Sequence, residues 1–82
     1  MPKAILFTGS ARRQLRDLPV DIRLRIEAKL SAYAEGEAAD LTALQGVQGA
    51  RIRVGDYRVI FVERDRGIEV IAVGHRRDIY RR

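Results

Sequence analysis

An alternating stretch at residues 51–62 constrains the fold of this chain more than any other feature. Arginine and apolar residues alternate up to a Gly-Asp break, and aromatic and β-branched residues follow it. This pattern predicts two antiparallel strands joined by a two-residue turn. With the break as the turn, Val54 lies opposite Tyr57 and Arg53 lies opposite Arg58.

The two faces of this predicted hairpin differ in chemistry, because successive strand residues point to opposite faces. Like charges directly opposite each other destabilise a sheet unless an anion lies between them. Alternatively, the long arginine side chains simply extend into water over a solvated face. The predicted core face carries Ile52, Val54, Tyr57, Val59 and Phe61, and the basic face carries Arg51, Arg53 and Arg58.

Length and composition exclude several classes of protein. The 82 residues predict one small domain over residues 1–82. The chain has no cysteine and one histidine, which excludes disulfides and an all-protein zinc site. We find neither an apolar run of membrane-spanning length nor a signal-peptide layout, so we expect a cytoplasmic protein. The net charge of +5 favours RNA, DNA or an acidic protein as partner.

The other elements are predicted from the spacing of apolar residues. Either Thr8 or Ser10 can cap the first helix, and Pro19 separates it from the second. We therefore predict an α+β fold of order β-α-α-β-β-β, with a two-helix hairpin and a twisted, mostly antiparallel sheet. The elements are a strand over Ala4–Phe7, helices over 11–18 and 19–35, a locally acidic connecting loop over 36–49, the hairpin, and an interior strand buried on both faces over 68–73.

The end of the chain is rich in groups that complement the basic hairpin. The last eight residues contain four arginines, one histidine and one tyrosine. Gly74 precedes them and allows the backbone to turn or to approach a neighbour closely. This composition makes the C-terminal segment a candidate second part of a functional site.

Two motifs in this order resemble the RelE/ParE superfamily of toxin-antitoxin toxins. The first is Arg-Ile-Arg-Val-Gly-Asp-Tyr-Arg-Val-Ile-Phe, which begins at Arg51, and the second is Gly-His-Arg-Arg-Asp-Ile-Tyr, which begins at Gly74. Leu44-Gln45-Gly46 also resembles the leucine-x-glycine segment of that family. The resemblance covers essentially the whole chain, and the ending is more similar to the RelE branch than to the ParE branch.

The resemblance implies a type II toxin that enters the ribosomal A site and cuts mRNA there. In the RelE branch the ribose 2′-hydroxyl is the nucleophile, so an endoribonuclease of this kind requires no metal or cofactor. The implied partners are the ribosome with its mRNA and a RelB-like antitoxin, which would neutralise the toxin in a hetero-oligomer. Such an antitoxin would be an acidic or amphipathic segment that folds on binding.

The resemblance also implies which residues form the site. Arg51 and Arg53 match the basic pair on the first hairpin strand, and Arg58 matches the arginine of the next strand. Arg76 matches the arginine after the last strand, and Tyr80 matches the C-terminal tyrosine. Guanidinium groups are bidentate donors that suit a phosphate, and a tyrosine can stack on a base or transfer a proton.

The cleavage implied by the resemblance also requires a group that accepts the proton of the 2′-hydroxyl. Some family members carry lysines at the positions of Arg51 and Arg53, and an arginine, whose ordinary pKa lies above about 12, is a poor base. His75 is the candidate, because histidine ordinarily titrates near neutral pH. A histidine after a strand can equally have a structural role, and Asp78 could orient His75 or pair with Arg76 or Arg77.

Two other functions are compatible with the sequence. A ParE-like toxin would have the same fold but would bind DNA gyrase and have no nuclease site. A basic binding module could retain the charges and have weakened catalysis, because arginine in place of lysine preserves charge but not acid-base chemistry. The set of arginines and Tyr80 favours the nuclease.

Overall fold

The structure is a computed structural model that describes residues 3–79. Two helices and a five-stranded sheet form the α+β fold predicted from the sequence. No helix within these residues is long and apolar enough to cross a membrane. The elements are β1 (Ala4–Phe7), α1 (Gly9–Arg16), α2 (Val20–Ala34), β2 (Leu41–Ala43), β3 (Gly49–Val54), β4 (Tyr57–Arg64) and β5 (Gly67–His75).

The sheet has the strand order β1-β5-β4-β3-β2. Among the described strands only β1 and β5 pair in parallel, so the sheet is mostly antiparallel as predicted. The register of β4 and β5 shifts once along their length. Phe61 pairs with Val70, whereas Ile60 pairs with Ala72, so Ile71 is an extra residue in β5. This β-bulge reverses which alternate residues of β5 face the core.

Both helices have recognisable ends. The Thr8 hydroxyl accepts a hydrogen bond from the Ala11 N–H at 3.1 Å, so Thr8 caps α1. For this reason α1 begins two residues before the predicted position, and it ends at Arg16 instead of residue 18. Pro19 directly precedes α2. Gly36 has φ +97° just after α2, a conformation that glycine adopts readily at the end of a helix.

The core lies between the helices and one face of the sheet. Phe61 is fully buried and its ring centroid lies 5.3 Å from that of Tyr33 on α2. Burial of each large apolar side chain contributes about 1.5–3 kcal/mol. The largest fully buried side chains are Phe61, Ile26, Leu30, Ile52, Ile68, Val59 and Val70.

The loop predicted over 36–49 contains a strand that the sequence analysis missed. β2 pairs with β3, and Thr42 lies opposite Arg51. Three residues are too few to show an alternating pattern, which explains why it was missed. The pairing places the acidic loop beside the basic hairpin.

β5 is interior, as predicted, but it is not buried on both faces. Ile71 is 38% exposed. The helices pack on one side of the sheet, and among the described residues no element covers the other side. We call this second side the open face, and it carries Arg51, Arg53 and Arg58.

Candidate functional site

The arginines of the hairpin converge on the open face. The side chains of Arg51, Arg53 and Arg58 line an open cavity of about 290 Å³, together with Asp40 and Thr42 from the segment around β2. The strand register explains the convergence, because Arg53 lies directly opposite Arg58 and Arg51 lies two residues before Arg53 on the same face. We call this site the arginine cavity.

Arg58 is held in place by the hairpin turn. Its Nη1 atom donates to the Gly55 carbonyl at 3.0 Å and to the Tyr57 carbonyl at 2.9 Å. Gly55 has φ +60°, a conformation that glycine adopts without strain and that the tight turn requires. These contacts hold the guanidinium near the turn, so part of its position is fixed before any ligand binds.

Arg53 makes two contacts with Asp40. Its Nε atom lies 2.9 Å from Asp40 Oδ2, and its backbone N–H donates to the Asp40 carbonyl at 3.0 Å. The two side chains are 62% and 56% exposed, so the ion pair itself contributes at most about 1 kcal/mol. Its main effect is geometric, because it holds a carboxylate at the edge of the arginine cavity.

His75 lies on the side of the sheet that faces the helices. It pairs with Tyr57, and the two rings meet edge to face with centroids 5.3 Å apart. Its Nδ1 atom accepts a hydrogen bond from the Arg77 N–H at 3.1 Å. His75 contributes to a second open cavity, of about 640 Å³, together with Gln14 and Asp17. The structure therefore does not bring His75 together with the arginine cavity.

Arg76 lies beside the hairpin turn. Its N–H donates to the Asp56 carbonyl at 2.8 Å, and its Nε atom lies 3.7 Å from Asp56 Oδ1. The Asp78 N–H donates to the His75 carbonyl at 2.9 Å in the turn that follows β5. Tyr80, the remaining predicted site residue, lies outside the described residues.

The arginine cavity is suited to bind a phosphate. Guanidinium groups remain charged at all relevant pH values and donate two parallel hydrogen bonds to an oxyanion. Sequence analysis found the arginines through their alternation but missed Asp40 and Thr42. The only sequence signal for Asp40 was the acidic character of its loop. Within residues 3–79 no group of three or more histidine, cysteine, aspartate or glutamate side chains is placed to hold a metal ion.

Several solved structures of RelE toxins have the same fold as this chain. The RelB-RelE antitoxin-toxin complex of Methanococcus jannaschii matches at 28% identity and a TM-score of 0.77, over 92% of this chain and 94% of that chain. An Escherichia coli RelE mutant in the free state matches at 24% identity with a TM-score of 0.78. The match covers 92% of this chain and 84% of that chain. The RelBE2 toxin-antitoxin complex of Mycobacterium tuberculosis matches at 22% identity with a TM-score of 0.74. The match covers 92% of this chain and 99% of that chain. The fold is therefore that of type II toxins.

The family follows from the sequence itself. The family described as "ParE toxin of type II toxin-antitoxin system, parDE" matches residues 5–80, which is nearly the whole chain. The chain belongs to this family, within the RelE/ParE superfamily of type II toxins. A comparison with curated protein sequences finds no match.

Proposed function

We propose that this toxin is a ribosome-dependent endoribonuclease that cuts mRNA in the ribosomal A site. The observation that carries the proposal is the arginine cavity, in which Arg51, Arg53 and Arg58 share one open space on the helix-free face of the sheet. A single-stranded message can reach this face, because no described element covers it. The 28% identity to a RelE complex supports the same branch.

The cavity would act by stabilising charge. Attack of the ribose 2′-oxygen on the adjacent phosphorus produces a phosphorane with two negative charges, and donors already in place lower the energy of that state most effectively. Arg58 is held by the turn carbonyls, so little reorganisation is needed when the phosphate arrives. Arg51 and Arg53 would bind the remaining phosphate oxygens.

The C-terminal residues have different proposed roles. Arg76 lies at the hairpin turn beside Asp56, where it can contact the message next to the cleaved phosphate. Tyr80 follows Arg76 closely in the chain and would stack on a base. His75 faces the helices, and its hydrogen bond from the Arg77 N–H supports a positioning role for this segment.

A RelB-like antitoxin is the proposed partner that neutralises the toxin in a hetero-oligomer. The structures from Methanococcus jannaschii and Mycobacterium tuberculosis are toxin-antitoxin complexes. The net charge of +5 favours an acidic partner segment. Such a segment would block the arginine cavity by binding there or by covering the open face.

Gyrase inhibition without nuclease activity is the second candidate function. The family match to ParE toxins favours it, and so does the position of His75 on the far side of the sheet from the arginines. In that case the open face would be a protein-binding surface, and the arginines would contact acidic groups of gyrase.

Primer extension on a reporter mRNA in a purified translation system tests the proposal. We expect breaks at A-site codons with the wild-type toxin and with Arg66→Ala, which removes the same charge from the β4–β5 turn at the other end of the sheet. Arg53→Ala should abolish the breaks. An intact message together with growth arrest would refute the nuclease and support the gyrase inhibitor.

A further inference from the structure

The proposed function requires a proton acceptor, and the inference made here rests on that function. The 2′-hydroxyl must lose its proton as its oxygen attacks phosphorus. The arginines of the cavity cannot accept this proton because they are already protonated. The imidazole of His75 lies on the opposite side of the sheet. Apart from the arginines, the described side chains that line the arginine cavity are those of Asp40 and Thr42.

Asp40 is the carboxylate that lines this cavity. Its Oδ2 atom lies 2.9 Å from Arg53 Nε, and its carbonyl oxygen accepts the Arg53 N–H at 3.0 Å. Arg53 and Asp40 are thus tied through both backbone and side chain, and the carboxylate has a defined place relative to the guanidinium. The pair uses Nε of Arg53, and a guanidinium has further donors on its two Nη atoms for a phosphate.

The Asp40 carboxylate would lie close to any phosphate bound in the arginine cavity. A carboxylate near a bound phosphate repels it, and the exposed ion pair with Arg53 adds little stability. In a nuclease the same carboxylate would lie next to the nucleotide whose phosphate Arg53 holds. The 2′-hydroxyl is attached to C2′, and the neighbouring carbon C3′ carries the oxygen that joins the ribose to that phosphate. A phosphate held by Arg53 therefore brings the 2′-hydroxyl into the neighbourhood of the Asp40 carboxylate.

We propose that the Asp40 carboxylate accepts the proton of the ribose 2′-hydroxyl. As that O–H bond breaks, its electron pair forms the bond from the 2′-oxygen to phosphorus. The bond from phosphorus to the 5′-oxygen then breaks, and the 5′-oxygen takes a proton from water. The products are a 2′,3′-cyclic phosphate and a 5′-hydroxyl, and Asp40 afterwards returns its proton to solvent. Arg53 holds the carboxylate in its place between these events.

Asp40→Asn is the decisive variant, because asparagine has nearly the same shape and cannot accept the proton. Asp65→Asn, in the exposed turn between β4 and β5, makes the same change of charge away from the cavity and is the matched control. Single-turnover cleavage is measured on ribosomes programmed with a defined A-site codon. Binding is measured separately on a message with a 2′-deoxy nucleotide at the cleavage position, which cannot be cut by this route.

We expect Asp40→Asn to cleave roughly 10²- to 10⁴-fold more slowly, the usual effect of losing a general base. Its binding to the deoxy message should be unchanged or tighter, because a negative charge has been removed next to the phosphate. Asp65→Asn should behave like the wild type in both measurements.

Three results would overturn the inference, and they differ from one another. Cleavage by Asp40→Asn at the wild-type rate or faster would mean that Asp40 is only a counter-ion of Arg53. A parallel loss of cleavage and binding would mean that Asp40 acts through the structure of the cavity. If neither the wild type nor Asp65→Asn cuts the message, the proposed nuclease function fails and the role of Asp40 fails with it.

Discussion

Arg58→Ala should lower the stability of the toxin as well as remove a charge from the site. The substitution deletes two hydrogen bonds, from Nη1 to the carbonyls of Gly55 and Tyr57 at 3.0 and 2.9 Å. It also removes a positive charge that lies directly opposite Arg53. The first change destabilises the hairpin, and the second relieves a repulsion, so the two effects oppose each other.

The hydrogen bonds should dominate. A net intramolecular hydrogen bond contributes about 0.5–1.5 kcal/mol, and the partial exposure of this pair places it in the lower half of that range. The two together therefore contribute about 1–2 kcal/mol, whereas an opposed pair of like charges costs about 0.2–1 kcal/mol. Arg53 is already partly neutralised by Asp40, which reduces the repulsion further. The net loss is about 1 kcal/mol, or roughly 4–8 °C in Tm for a domain of this size.

Thermal unfolding followed by circular dichroism measures this loss, and a thermodynamic cycle with Arg53→Ala separates its two parts. In the Arg53→Ala background, Arg58→Ala should cost about 0.2–1 kcal/mol more, because no repulsion remains to be relieved. An unchanged Tm would refute the role of the turn carbonyls. If Arg58→Ala destabilises the Arg53→Ala variant less than it destabilises the wild type, the repulsion between Arg53 and Arg58 is refuted. A variant that stays folded at 25 °C but no longer cuts mRNA then locates the remaining effect in the cavity.

Three further results are expected. Phe61→Ala should lower the free energy of unfolding by about 3–5 kcal/mol, measured by urea denaturation, since Phe61 is fully buried; a loss below about 1 kcal/mol would contradict the core described here. Gly67→Ala should speed hydrogen exchange in β1, because its Cβ would lie 2.7 Å from the Ala4 nitrogen, whereas Gly9→Ala has open space and should not. Affinity for short single-stranded RNA, measured by fluorescence anisotropy over a range of KCl concentrations, should fall with salt, and Arg53→Gln should reduce the log-log slope by about 0.7; an unchanged slope would mean that Arg53 contacts no phosphate.

The hairpin could be predicted in detail from the sequence. Its alternation is strict and its turn has two residues, so one register satisfies both the core and the turn. The structure confirms the pairs Val54–Tyr57 and Arg53–Arg58. β2 could not be predicted in the same way, because its three residues pair with β3 through backbone hydrogen bonds that leave no pattern in the side chains.

Part of the candidate site could likewise be predicted from the sequence, and part could not. The three arginines belong to one hairpin, so the alternation of side chains along its two strands places them on the same face. Asp40 reaches Arg53 only because β2 pairs with β3, a contact that local periodicity does not encode. The face of His75 was also hidden, because residues 70–73 are all apolar and a bulge among them changes no visible pattern. Regular alternation counted from Val70 would have placed His75 with the arginines.

The extra residue in β5 also affects how this chain compares with its relatives. Ile71 has no partner of its own between the pairs Phe61–Val70 and Ile60–Ala72. If Ile71 were deleted, Ala72 would follow Val70 directly, and every remaining residue of β5 would keep both its partner on β4 and its face. The length of β5 can therefore change by one residue without exchanging the two faces of the sheet. A gap at Ile71 in an alignment keeps the other residues of β5 on their faces, whereas a gap placed elsewhere in β5 would exchange residues between the core face and the open face.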